Sequence, residues 1–145
     1  MNPILGFILC LAAMLIIGAI VTITLKYTSR WNQLEQLYLN TSKDDSVKLE
    51  ITSLRIASPL DPWGMFNSFR NVVFVGSNDK GIYFSMIFPF RLILRPIFIP
   101  WNELIIAEQS YIGVNRDEII PTKLPEIQFI LTKSVAKKIR NLIKV

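Results

Sequence analysis

From Pro3 to Leu25 the chain runs for 23 residues without a charged side chain, dominated by Ile, Leu, Ala and Met, and stops at Lys26. A helix of that length rises roughly 34 Å, enough to cross a hydrocarbon core of about 30 Å with a modest tilt. All 27 charged residues, 16 basic and 11 acidic, lie after it. The sequence therefore divides into a transmembrane anchor over residues 1–26, a juxtamembrane amphipathic helix and turn over 27–46, and a domain over 47–145.

A cleaved signal peptide also starts with an apolar helix, but it carries a basic start, a shorter apolar run and a small-x-small cleavage site. Met1-Asn2-Pro3 has no basic side chain, and Ile23-Thr24-Leu25 offers no such site before Lys26. Cys10 follows Phe7-Ile8-Leu9, without the small residue expected ahead of a lipidated cysteine. These departures favour an uncleaved, single-pass span. Lys26 and Arg30 follow it directly, with Lys43 and Lys48 further out, while the other flank has no Lys or Arg. That asymmetry predicts an outside N-terminus and a cytoplasmic domain. The single cysteine lies inside the span, so the domain has no internal disulfide, as suits a reducing compartment.

A net charge of +5 suits a domain facing anionic lipid headgroups. It would also suit nucleic acid, but the basic residues are scattered except at the C-terminal end and no nucleic-acid motif accompanies them, so no nucleic-acid partner is expected.

Trp31, Leu34, Leu37 and Tyr38 recur at helical spacing and predict an amphipathic helix over 29–39, with Thr28 or Ser29 as its cap. Asn40-Thr41-Ser42 fits a glycosylation pattern that carries no meaning on a cytoplasmic domain. Lys43-Asp44-Asp45-Ser46 reads as a polar turn whose adjacent carboxylates lack the further oxygen ligands a cation needs. From Val47 the period becomes two, through Leu49, Ile51, Leu54 and Ile56, with a slip at Thr52-Ser53 that predicts a bulge or tight turn. The prolines of Pro59-Leu60-Asp61-Pro62-Trp63-Gly64 predict a loop. Strands are expected over 71–75, 82–88, 97–101, 104–109 and 126–131, with a hairpin connection at 76–81 and a polar connection through Asn115-Arg116-Asp117-Glu118. Short strands in that number, roughly seven, predict a mainly β, strongly bent antiparallel sheet, because a flat one would leave an apolar face bare.

In the closing segment Val135, Ala136, Ile139, Leu142 and Ile143 share one helical face, and the five basic residues occupy the other. The helix either lies on anionic lipid through Lys137, Lys138, Arg140 and Lys144, or plugs an open end of the sheet. The plug is the reading the sheet asks for, and the two are compatible because the faces oppose each other. From Phe88 to Pro96, five large apolar side chains and two arginines, Arg91 and Arg95, lie among prolines that prevent a regular strand. Exposed, this loop would set apolar groups in the lipid interface with both arginines on phosphates. Buried, it is core under a crossover, which avoids the aggregation that bare apolar surface invites.

Strands followed by a terminal amphipathic helix, after a membrane anchor, resemble pleckstrin-homology-like domains. Trp31, Tyr38, Gly81-Ile82-Tyr83-Phe84-Ser85, Phe90-Arg91 and Pro96-Ile97-Phe98-Ile99-Pro100-Trp101-Asn102-Glu103-Leu104-Ile105 are similar to a set of uncharacterised single-pass bacterial membrane proteins with such a domain. The resemblance spans residues 30–106 and implies a PH-like fold more than a function. Leu92-Ile93-Leu94-Arg95 departs from it, standing where small and polar residues are more usual.

Without histidine the chain has no Ser-His-Asp or Cys-His arrangement and no imidazole metal site. Its six glycines form no phosphate loop. The carboxylate pairs Asp61 with Asp79, and Glu103 with Glu108, are brought together by nothing in the sequence. Trp63, Tyr83, Phe98 and Trp101 would line a ligand groove or, more commonly at strand spacing, fill the core. The expectation is a non-catalytic binding or scaffolding module without cofactor or metal. Its partners would be the bilayer through residues 3–25, an anionic lipid surface and a membrane protein. The alternative is a structural subunit or assembly factor acting mainly through its span.

Overall fold

The computed structural model describes residues 2–40, 47–59, 61, 62, 64, 65, 67–111 and 114–143. The sequon at residues 40–42, the Asp44-Asp45 turn, Trp63 and Lys144 fall wholly or in part outside the described residues.

Helix α1, Pro3–Thr28, starts where Asn2 Oδ1 accepts from the Ile4 amide at 3.1 Å and Pro3 occupies the first turn, where its missing N–H costs nothing. It is long and apolar enough to cross a membrane, a property shared by signal sequences near an N-terminus. The helix does not stop at Lys26. Thr28 and Ser29 were expected to cap the second helix, and instead they end the first, the Ser29 hydroxyl donating back to the Leu25 carbonyl. The chain turns at Arg30, whose left-handed φ of 57° reverses direction in one residue, and α2 follows over Trp31–Tyr38 without a side-chain cap. Trp31, Leu34 and Tyr38 are its buried face, as their spacing predicts.

Seven strands form one antiparallel sheet: β1 Glu50–Ala57, β2 Ser68–Ser77, β3 Gly81–Met86, β4 Ile97–Pro100, β5 Leu104–Tyr111, β6 Val114–Pro121 and β7 Gln128–Leu131. The order is β4-β3-β2-β1-β7-β6-β5. Its two edge strands, β4 and β5, are consecutive in the chain and joined only by the 3-10 turn Trp101–Glu103. Four peptide steps span at most about 14 Å, so the edges are drawn together and the sheet is bent nearly closed. Phe84 of β3 and Phe129 of β7, three places apart in the order, stack across the interior at 4.9 Å between centroids. At the exit of α2, Leu39 bridges to Ile97 and the Asn40 amide donates to the Pro96 carbonyl at 3.2 Å, which covers the bare edge of β4.

The polar stretch 115–118, expected as a connection, is the middle of β6. Its backbone pairs with β5 from Tyr111–Val114 to Leu104–Pro121, and Glu118 and Ile119 also pair with β7. Pairing with β5 along the whole stretch, and with β7 from Glu118 on, supplies the main-chain partners that local composition gave no reason to expect. The register does shift at Thr52–Leu54, but the extra residues are on the partner strand: two residues of β1 face the four steps from Val73 to Phe69. Asn71 takes the left-handed conformation there at φ 53°, and its amide donates to the Ser53 hydroxyl at 3.2 Å. Helix α3, Lys133–Ile143, lays Val135, Ala136 and Ile139 on the core and keeps its lysines outside.

Candidate functional site

Helix α1 and three loops meet at one end of the sheet. In the β1–β2 loop, the Ser58 hydroxyl donates to the Thr28 carbonyl at 3.2 Å, and the Thr28 hydroxyl lies 2.8 Å from Asn67 Oδ1. Lys26 Nζ reaches the β3–β4 loop at the Ile93 carbonyl, 3.0 Å away, and pairs with Glu35 of α2 at 2.7 Å. Arg30 pairs with Glu126 of the β6–β7 loop at 2.9 Å. The two basic residues that set the orientation argument are thus both engaged with carboxylates, and the helix joins the domain without a slack linker.

The β1–β2 loop is organised by Asp61, which is buried and accepts from the amides of Met65 and Asn67 and from Asn67 Nδ2, all within 3.1 Å. Gly64 turns the chain at φ 60°, where any Cβ would press within 3.4 Å of the β1 backbone. Asp61 therefore acts as a loop fastener. Its suggested partner Asp79 sits on the β2–β3 hairpin, at the opposite ends of those strands. Glu103 and Glu108 are also not paired: Glu103 binds Lys123 at 2.9 Å and Glu108 faces Arg140 at 3.5 Å. Among the described residues no group of three His, Cys, Asp or Glu side chains forms a metal cluster.

The β3–β4 loop is divided between the two alternatives. Leu94 is buried and Phe90 packs on the core, while Phe88 and Leu92 are 76% and 72% exposed. The loop is held from below by α2, through Trp31 Nε1 donating to the Arg95 carbonyl at 3.0 Å and the Arg95 amide donating to Glu35 Oε1 at 2.8 Å. Arg91 and Arg95 point out and form no ion pair among the described residues.

The basic residues of α3 lie elsewhere. Lys138 pairs with Glu50 at the start of β1 and Arg140 with Asp117 and Glu108, while Lys137 is exposed. Glu50 and Ala57 are the two ends of one strand, about 23 Å apart at a strand's rise. The structure thus brings Arg91 and Arg95 to the end where α1 enters, puts Lys138 at the other, and sets Arg140 against the middle of β5 and β6. Two shallow clefts, of about 180 and 200 Å³, lie beside α3 and between α2 and Phe98. Tyr83 is buried in the sheet, and Trp101 Nε1 donates to the Asn78 carbonyl at 2.9 Å.

The second cleft contains a titratable cluster. Tyr38 is buried, with the Lys123 ammonium 5.6 Å from its ring centre, and its hydroxyl faces Glu103 without a well-formed hydrogen bond among the described residues. Burial first and the Glu103 carboxylate second push its phenol up to about 12, while the hydrogen bond from Lys123 holds Glu103 below the usual carboxylate range. The folded pKa of Tyr38 exceeds the unfolded value of about 10, so its share of stability is full below pH 10 and is lost as pH rises towards 12. Tyr38→Phe is expected to remove that loss. Denaturation midpoints at pH 9 and 11 check this, the variant losing less than the parent; equal losses would contradict it.

Sequence reasoning missed Met65, 70% exposed on the β1–β2 loop, and the stripe that Thr22 forms with Lys26 and Ser29 at the end of α1. Their spacing of four and three, at the end of an otherwise apolar helix, was the legible signal. Comparison of this chain with protein-family models, with curated proteins and with solved structures gives no match.

Proposed function

We propose that the chain is a single-pass, membrane-anchored, non-catalytic binding or scaffolding module of PH-like fold, held on the cytoplasmic face. The observation that carries this reading is the junction: Lys26, Thr28 and Arg30 each bond a different loop, so the domain leaves the bilayer in one orientation. A binding module gains from that, because fixing its orientation beforehand reduces the ordering cost of meeting a partner that is also in the membrane. The strand order and the terminal helix support the PH-like assignment. Support for the cytoplasmic side comes from Arg91 and Arg95, which join Lys26 and Arg30 at one rim and suit an anionic leaflet.

Two measurements test it. A reporter that is active only after export, fused behind Val145, is expected to stay silent; activity would reverse the topology. In mild detergent, a chain whose residues 3–18 are replaced by an unrelated apolar span should keep its stoichiometric partner. Loss of the partner on that exchange would transfer the function to the span and favour the structural-subunit alternative.

A further inference from the structure

The domain covers α1 beyond its polar end. Thr22 is 2% exposed and Ala19 is half-buried, although most of the span before them is bare. An isolated helix cannot bury its own side chain to that degree, so the domain covers the face that carries Ala19, Thr22, Lys26 and Ser29. From Ser29 to Thr22 that cover extends about 10 Å along the axis. A hydrocarbon core of about 30 Å takes up some 20 residues of helix. With Pro3 at the far boundary, the near boundary falls at Thr22. The part of the domain that flanks Thr22 to Ser29 therefore stands in the headgroup layer, level with the edge of the acyl chains.

The β3–β4 loop, tied to this end of α1 through Lys26, turns Phe90 and Leu94 inward and leaves Phe88, Arg91 and Leu92 outside, with Met65 exposed on the β1–β2 loop. We infer that this rim is a bilayer-inserted wedge, in which Phe88, Leu92 and Met65 enter the acyl boundary of the leaflet that α1 leaves, and Arg91 and Arg95 meet lipid phosphates. The occupant is lipid because the loop is hydrogen-bonded to the helix at Lys26, one residue past the apolar run, so the span itself brings the exposed side chains to the interface. Apolar groups flanked by arginine on a surface held at that depth match the chemistry of an interfacial contact. The charge of α3 has no part in it, since that helix packs at the opposite ends of the strands.

The inference rests on α1 being a span, and the experiment separates the two. The full chain is reconstituted in phosphatidylcholine–phosphatidylglycerol vesicles, with an environment-sensitive fluorophore on a single cysteine. The cysteine is native Cys10, or, in a Cys10→Ser background, one placed by Phe88→Cys, Leu92→Cys or Asp79→Cys. A label at Cys10 that resists aqueous iodide establishes the span independently; one open to iodide would overturn the span and the wedge together. With Cys10 shielded, the labels at 88 and 92 are expected to shift to the blue, lose iodide quenching and be quenched by lipids nitroxide-labelled near the headgroup. The label at 79 should behave in the opposite way. Labels at 88 and 92 as open to iodide as 79 would overturn the wedge while leaving the anchor intact. Shielding from both iodide and nitroxide lipid would also overturn it, by showing that protein covers the rim.

Discussion

Trp31→Ala is expected to lower the stability of the domain by about 3–5 kcal/mol, the range for emptying the site of a large buried aromatic side chain. Trp31 is fully buried, its ring 6.4 Å from that of Phe69, and its indole N–H is bonded to the Arg95 carbonyl. The substitution thus opens a cavity between α2 and the sheet and also frees the root of the β3–β4 loop. Domains of this size hold about 5–15 kcal/mol in total, so the loss consumes a large part of the margin. Trp31→Phe retains most of the volume but leaves the carbonyl without its donor, and should cost about 1–3 kcal/mol. Denaturant titration of the full chain in detergent, read through the midpoint at constant slope, measures both. A Trp31→Ala loss below 1 kcal/mol would mean that α2 is not part of the cooperative core.

Gly81→Ala acts on backbone spacing. A Cβ at Gly81 would lie 2.3 Å from the Ile99 carbonyl oxygen and 2.9 Å from Pro100 Cα, both on the paired strand. Main chain cannot step aside as a side-chain tip can, so β4 must move away from β3, at a cost towards the upper end of about 1–3 kcal/mol. Gly76→Ala is the comparison. Its new methyl would meet the Val47 and Leu49 side chains first and the Lys48 carbonyl oxygen only at 3.0 Å, so most of the adjustment falls on side chains. Hydrogen exchange should show the amides of β4 losing protection in Gly81→Ala while β1 and β7 keep theirs. Uniform protection throughout would show that the sheet absorbs the methyl elsewhere.

Periodicity made most of this architecture legible. The apolar run to Leu25, the i, i+3, i+4 set of Trp31, Leu34 and Tyr38, and the alternation after Val47 each declare an element because burial selects side chains by face. β6 escaped because its backbone partners are supplied by β5 and β7, and nothing in Asn115-Arg116-Asp117-Glu118 announces them. The bulge was visible on one strand and located on the other, since a slip in β1 records a mismatch without saying which strand is longer. The rim was half legible. Arg91, Arg95 and their apolar neighbours drew notice as composition, but which of them face outward depends on the Lys26 and Trp31 bonds to a loop more than sixty residues away.

The junction between α1 and the loops also has a mechanical side. A domain on a flexible tether cannot transmit torque, because the tether bends first. In a bilayer the helix and the sheet would turn as one lever, with the lipid boundary as its fulcrum and an arm of about 23 Å from the rim to the start of β1. If α1 spans a bilayer, a sideways load on α3 would be converted into tilt of that helix, and a change in bilayer thickness would swing α3 through an arc. The opposing stiffness would then be that of hydrophobic mismatch, fractions of a kcal/mol per Å, soft enough for thermal forces to move the lever.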